Sequence, residues 1–369
     1  MLSFGNTTAT IFVVGPDELG GRGDVSTKAE SLAKETGRDI HEIIIELFMP
    51  NKGETTDLIG LPKVYDYECH NMKATPFMIS VLTGMYPKMF KLFHNCDGVV
   101  ATSNRLFEPE SNDTFKSYYE RSGRSYYVVG PLALTSTDQL SRERSSDRDA
   151  VKRFLGRMLQ KRGERSVIYV SFGSTYWPLN VEASWKVIKI ICEKQIPMIF
   201  VHNDEYGRPP MPNSLRAELE TSRSVLITTW APQNMVLGHK ATAWFLTHCG
   251  LNSISESLSH GIPMIGWPAD VDQPINAMYI GDLKHNVGYE LLEVLQRDES
   301  KPLYRGYTPS GTLEAIEKEF TTVLQNAFGR DGAEKRHNAE RFKEELSGLW
   351  DEDGDAQMEL RRFIKDYLS

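Results

Sequence analysis

Hydrophobic positions fall into two patterns along the chain. From about Ser166 onward, short apolar runs recur at Val167–Phe172, Ile196–Val201, Val225–Thr228, Ala243–Thr247 and Pro263–Trp267, each four to six residues long and rich in Val, Ile, Phe and Trp. Amphipathic stretches such as Val181–Lys194 and Ser253–His260 lie between several of them. Runs apolar on both faces, alternating with helical segments, predict a parallel sheet covered on both sides, a doubly wound α/β domain.

The first 150 residues read differently. Strand-like runs are Ile11–Val14, Val99–Thr102 and Tyr126–Val129, with helical stretches at Thr27–Lys34 and Asp39–Phe48 and an irregular segment from Pro50 to Pro76. Three strands are too few for an independently stable α/β sheet. This region is therefore expected to lean on the second domain, or to lack a part that belongs before Met1. The polar segment Thr135–Arg148 reads as a linker or mobile loop, and the charged stretch from about Lys343 as one or two terminal helices. The resulting division is a partial first domain (1–134), a linker (135–160), a second domain (161–342) and C-terminal helices packing back toward the first domain (343–369).

Composition narrows the function classes. A length of 369 residues suits two domains. The formal net charge of -8 gives no counterion-release advantage with a polyanion, so nucleic-acid binding is set aside. Cys69, Cys96, Cys192 and Cys249 are scattered without a CxxC pair, which fits a reducing compartment rather than a disulfide framework. Cys69-His70 and His94-x-Cys96 lack a recognised zinc spacing, and no metal is expected. No window approaches the roughly 18 apolar residues of a membrane span, and no basic n-region precedes the N-terminal apolar stretch. A cytoplasmic protein is expected.

The chemistry concentrates between Trp230 and Gln273. The predicted strand Ala243–Thr247 runs through His248-Cys249-Gly250-Leu251-Asn252-Ser253 into a helix. A helix start offers unpaired backbone N–H groups and a positive dipole end, and so an anion site. Gly250 permits close backbone approach, Asn252 and Ser253 add side-chain donors, and His248 sits just before. Taken singly, these residues have plainer readings. Ser253-x-x-Glu256 is also a capping box, His248 a satisfied core histidine, and Trp230 a packing residue.

The whole set, spread over 44 ungapped positions, resembles the donor-binding signature of the UDP-glycosyltransferases, glycosyltransferase family 1. Trp230, Pro232-Gln233, Leu237, His239, Thr247-His248-Cys249-Gly250, Asn252-Ser253, Glu256-Ser257, Gly261, Pro263, Trp267-Pro268 and Asp272-Gln273 match it in type and place. The resemblance implies a GT-B fold of two Rossmann-like domains, the first incomplete, and a UDP-sugar donor with no cofactor. It implies that Trp230, followed by Ala231, stacks on uracil, and that Gln233 lies near uracil and ribose. Glu256 would accept from the ribose hydroxyls. His248, Gly250, Asn252 and Ser253 would hold the diphosphate, and Asp272 and Gln273 would bind sugar hydroxyls. Leu251 stands where plant members usually carry Trp, a position used through its backbone. Ser171-Phe172-Gly173-Ser174-Thr175 is similar to the family's loop facing the diphosphate, with Ser174 and Thr175 as donors. Gly130-Pro131-Leu132 resembles the end of the family's first domain, and Gly15-Pro16 to Asp24 and Gly60-Leu61-Pro62 look most like fungal members. The glycines at 20, 21 and 23 form a flexible loop on this reading, since no Walker lysine follows.

The implied reaction is an inverting transfer of a hexose, glucose, to a small lipophilic hydroxylated acceptor by a monomer. In the family a histidine after the first strand deprotonates the acceptor and an aspartate orients it. His41 falls inside a helix, His70 in an irregular segment and His94 near a helix end, so all three read as structural. The base and its aspartate are expected upstream of Met1. The alternative is a UDP-sugar-binding protein without turnover; an epimerase would need an acid–base constellation that the sequence does not display.

Overall fold

The computed structural model describes residues 2–69, 76–132, 145–174, 176–203, 208–281, 284–295 and 301–368. The first half contains β1 (Leu2–Phe4), α1 (Thr7–Val14), α2 (Val25–Thr36), α3 (Ile40–Phe48), β2 (Thr55–Thr56), β3 (Val64–Tyr65), α4 (Pro76–Gly84), α5 (Tyr86–Asn95), β4 (Gly98–Ala101), α6 (Pro109–Arg121) and β5 (Ser125–Val128). The second half begins with α7 (Ser145–Arg162) and alternates β6 (Val167–Ser171), α8 (Val181–Glu193), β7 (Met198–Val201), α9 (Asn213–Thr221), β8 (Val225–Thr228), α10 (Gln233–Leu237) and β9 (Thr242–Thr247). It continues through α11 (Leu251–Ser259), β10 (Met264–Gly266), α12 (Gln273–Gly281), β11 (Gly288–Glu290), α13 (Leu313–Ala327), α14 (Arg330–Ser347) and α15 (Asp355–Tyr367).

The second half is built on a six-stranded parallel sheet of order β11-β10-β9-β6-β7-β8. Every residue of β6 and β9 is buried, as strands covered by helices on both faces must be. One core face stacks Tyr169 on Phe245, ring centroids 4.8 Å apart, and the other gathers Ile168, Phe200 and Trp244 with α8 and α13. The first half carries a three-stranded parallel sheet, β1-β4-β5, and a small antiparallel β2-β3 pair. The C-terminal helix α15 lies against β5, where Tyr127 donates to Asp366 at 2.6 Å.

Several local expectations change. Ile11–Val14, read as a strand, is the second half of α1. The short apolar run fits either period, and capping decides it. Asn6 accepts from Ala9 N–H, and the buried Glu108 carboxylate takes the N–H groups of Thr7 and Thr8 at 3.2 and 2.8 Å. A carboxylate on these orphan donors also meets the positive end of the helix dipole. Within 135–160, residues up to 144 lie outside the described part, and from Ser145 the chain is helical. Strands β1, β2, β3 and β11 are too short to have shown as periodic runs. No described helix is long and apolar enough to cross a membrane.

Candidate functional site

In the large sheet the strand order reverses beside β6, whose neighbours are β7 on one side and β9 on the other. Loops leaving the carboxyl ends of β6 and β9 therefore diverge and open a crevice, the usual ligand position in such sheets. The register aligns Ser171 with Thr247, so the two loops start level. Gly173 and Ser174 form one lip, and His248 to Ser253 the other. The crevice opens into a cleft of about 570 Å³ closed by the first half of the chain, through Gly5 to Val14 and Met85 to Met89.

Chain geometry at the β9–α11 turn sets a helix amino terminus at the cleft and removes the capping-box reading. Cys249 turns the backbone at φ 66°, and extended Gly250 is the N-cap, so α11 starts at Leu251. Ser253 is thus the third helical residue rather than the cap. Glu256 sits a turn further on and accepts instead from the Gln233 side-chain amide. That amide also reaches Ser253 Oγ at 3.4 Å, while Tyr169 OH donates to Gln233 Oε1 at 3.2 Å. Trp230 lies three positions ahead of Gln233 on the loop leaving β8, its carbonyl accepting from the Thr228 hydroxyl at 2.7 Å. The parallel sheet puts this loop on the same edge as Glu256 and Gly250. Ala231, next in the loop, is buried.

His248 stands between two glycines. A Cβ on Gly173 would come within 2.8 Å of its Cε1, and one on Gly250 within 2.6 Å of its Nε2. Burial, and next the charge of Arg208, lower its pKa to about 4, so the imidazole is neutral at pH 7. Its Nδ1 is buried without a hydrogen-bond partner. Exposed Asn252 and Ser174 line the same cleft. Thr175 lies outside the described residues.

Asp272 lines the cleft, and its carboxylate accepts from Leu251 N–H at 3.3 Å and from Asn276 Nδ2 at 2.8 Å. Gln273 opens α12, is almost wholly buried, and turns Oε1 back to Ala269 N–H at 2.9 Å. Its carbonyl oxygen thus shapes the loop, although the residue still borders the cleft. Position-by-position reading missed Asn276, which joins the two halves. It donates to Asp272 and to the Cys249 carbonyl at 2.9 Å, and accepts from Asn6 of the first half at 2.5 Å. Nothing in the local sequence marks an asparagine as a bridge over 270 positions.

Asp270 was also missed, although Asp270-Val271-Asp272 shows as an acidic pair in the sequence. Burial raises its pKa to about 6. Tyr86 is pushed up to about 12, by burial first and by Asp270 next. The sign of the linkage follows. Asp270 protonates more readily folded than unfolded, so its favourable contribution is full below the unfolded value near 3.8 and lost as pH rises through about 6. Asp270→Asn should therefore raise the melting temperature at pH 7 to 8, by up to about 3 kcal/mol of stability, with no gain left near pH 3.5. Thermal melts of both chains across pH 3.5 to 8 check this. His248 acts oppositely, its neutral form costing stability only as pH falls from 6.5 toward 4.

Comparison with known proteins gives the family and the fold. Residues 124–298 match the family described as UDP-glucoronosyl and UDP-glucosyl transferase. The UDP-glycosyltransferase eriJ of Hericium erinaceus is 31% identical over 340 residues, 89% of this chain and 66% of the relative. The chain belongs to the UDP-glycosyltransferase family. The zeatin O-xylosyltransferase of Phaseolus vulgaris is 26% identical over 85% of this chain, and this chain again covers 66% of its length. The fold is that of the solved GT-B enzymes. A UGT transferase from Siraitia grosvenorii in complex with UDP superimposes with TM-score 0.69 at 19% identity, covering 100% of this chain and 82% of that one. Phytolacca americana UGT2, complexed with UDP-2fluoro-glucose and pterostilbene, gives TM-score 0.68 at 19% identity, covering 100% and 71%.

Proposed function

We propose that this UDP-glycosyltransferase family member binds a UDP-sugar across the β6–β9 crevice and transfers its hexose to a small hydroxylated acceptor. The observation that carries the reading is the convergence, on one sheet edge, of the α11 amino terminus, neutral His248, the Gln233–Glu256 pair and the Trp230 loop. Trp230 covers the uracil, Glu256 accepts from the ribose diol, and the N–H groups of Asn252 and Ser253 with His248 meet the diphosphate. Ser174 adds a donor from the facing lip. Asp272 and Gln273 lie where the hexose hydroxyls would fall.

In the transfer the acceptor oxygen bonds to the anomeric carbon as the bond to the β-phosphate oxygen breaks, with inversion. Charge gathering on UDP is met by the helix amino terminus and His248. The acceptor proton passes to a base. Among the described cleft-lining residues His248 is the only histidine, and it is placed at the phosphates; His41 and His94 stand on α3 and α5 outside the cleft. The other side of the cleft presents Ala9, Val13, Val14, Met85 and Met89, with Tyr86 and Tyr176 beside them, a wall suited to an apolar or aromatic acceptor. Relatives named for zeatin, and a structural neighbour holding pterostilbene, support the same acceptor class. We place the protein in the cytoplasm, in keeping with four free cysteines.

Titration with UDP, run beside a UDP-glucose transfer assay on hydroxylated aromatic acceptors, tests this. Binding with glucoside formation is expected. No heat with UDP would remove the donor site, and binding without any turnover would leave a donor-binding protein only.

A further inference from the structure

We propose that Arg208, outside the signature segment, supplies the positive charge that meets the donor's diphosphate; this rests on the reading of the crevice as a UDP-sugar site. The described residues lining the cleft include no lysine or arginine, and Asp272 adds a carboxylate to it. Neutral donors alone would then face an anionic diphosphate in a chain of net charge -8. Charged donors bind phosphate oxygens about twice as strongly as neutral ones, and a guanidinium fits them as a fork.

Arg208 does not itself line the cleft but stands against Gly173, which does. It lies in the connection from β7 to α9, on the same sheet edge as Gly173 and Gly250. Its guanidinium donates to the carbonyl of Gly173, in the lip of the crevice, and its Cζ lies 5.9 Å from the Trp177 ring centroid. On the other side of Gly173 stands the His248 ring, close enough for the guanidinium charge to help keep it neutral. The segment Arg208-Pro209-Pro210-Met211-Pro212 is stiff, because proline fixes its own φ and restricts the residue before it. Met211 is buried and anchors it. Among the described residues no carboxylate pairs with Arg208, so its remaining N–H donors are available to an anion. The buried, unpartnered Nδ1 of His248 independently marks the same spot as a polar site awaiting a ligand.

Calorimetry of the full chain with UDP and with uridine, which lacks phosphate, separates this charge from the rest of the site. Arg208→Gln is expected to weaken UDP binding roughly tenfold or more, to leave uridine binding unchanged, and to flatten the salt dependence of UDP binding. Arg208→Lys should recover part of the loss. Equal losses for UDP and uridine, or unchanged UDP affinity in Arg208→Gln, would overturn the assignment. A wild-type chain that binds no UDP would sink the underlying donor-site reading instead, so the two failures are distinct.

Discussion

Gly173→Ala is expected to lower UDP affinity at least tenfold while leaving the chain folded. Gly173 holds φ 74°, where a Cβ costs about 1 kcal/mol by itself. The same Cβ would stand 2.8 Å from Cε1 and 2.9 Å from Nε2 of His248, so the ring must leave its place over the α11 amino terminus. His248 directly follows β9, whose six residues are all buried and have little room to yield, so the displacement falls on the crevice. Gly250→Ala pushes the same ring at Nε2 without the positive φ, and its loss should be smaller. Calorimetry with UDP, with circular dichroism to confirm the fold, checks both. Unchanged UDP affinity in Gly173→Ala would show that the imidazole takes no part in holding the phosphates.

Trp230→Ala acts at the other end of the ligand. Stacking of a base on an aromatic ring is worth about 1–3 kcal/mol, so the expected loss is roughly 5- to 150-fold. Uridine and UDP should weaken by the same factor, because on the proposed reading the indole covers the base and not the phosphates. Trp230→Phe should retain most of the affinity. Fluorescence quenching of the wild-type chain on adding uridine, compared with calorimetry on both variants, reads this out. A loss confined to UDP would place the indole away from the base. Together with Gly173→Ala the variants divide the site into a base end and a phosphate end that respond to different ligands.

The second half of the chain was legible in the sequence because its signals are local. Runs such as Val167–Phe172 and Ala243–Thr247 are apolar without alternation, and a strand buried on both faces has no other way to be written. The 44-position spacing from Trp230 to Gln273 was legible as a family signature because it gathers loops that leave the carboxyl ends of parallel strands, where such sheets bind ligands. Where the helix begins was not legible. Ser253 and Glu256 carry the letters of a cap, but the turn at Cys249 starts α11 at Leu251 and frees both side chains toward Gln233. The same limit governs Ile11–Val14, whose four apolar residues suit strand or helix until Asn6 and distant Glu108 take the first N–H groups. What only the tertiary structure decided are relations between residues far apart in sequence. Arg208 meets Gly173, Asn6 meets Asn276, and Asp270 is buried near Tyr86. Hydrogen bonds and charges act through space over a few ångströms, and chain order records such neighbours only when they are also neighbours along the chain.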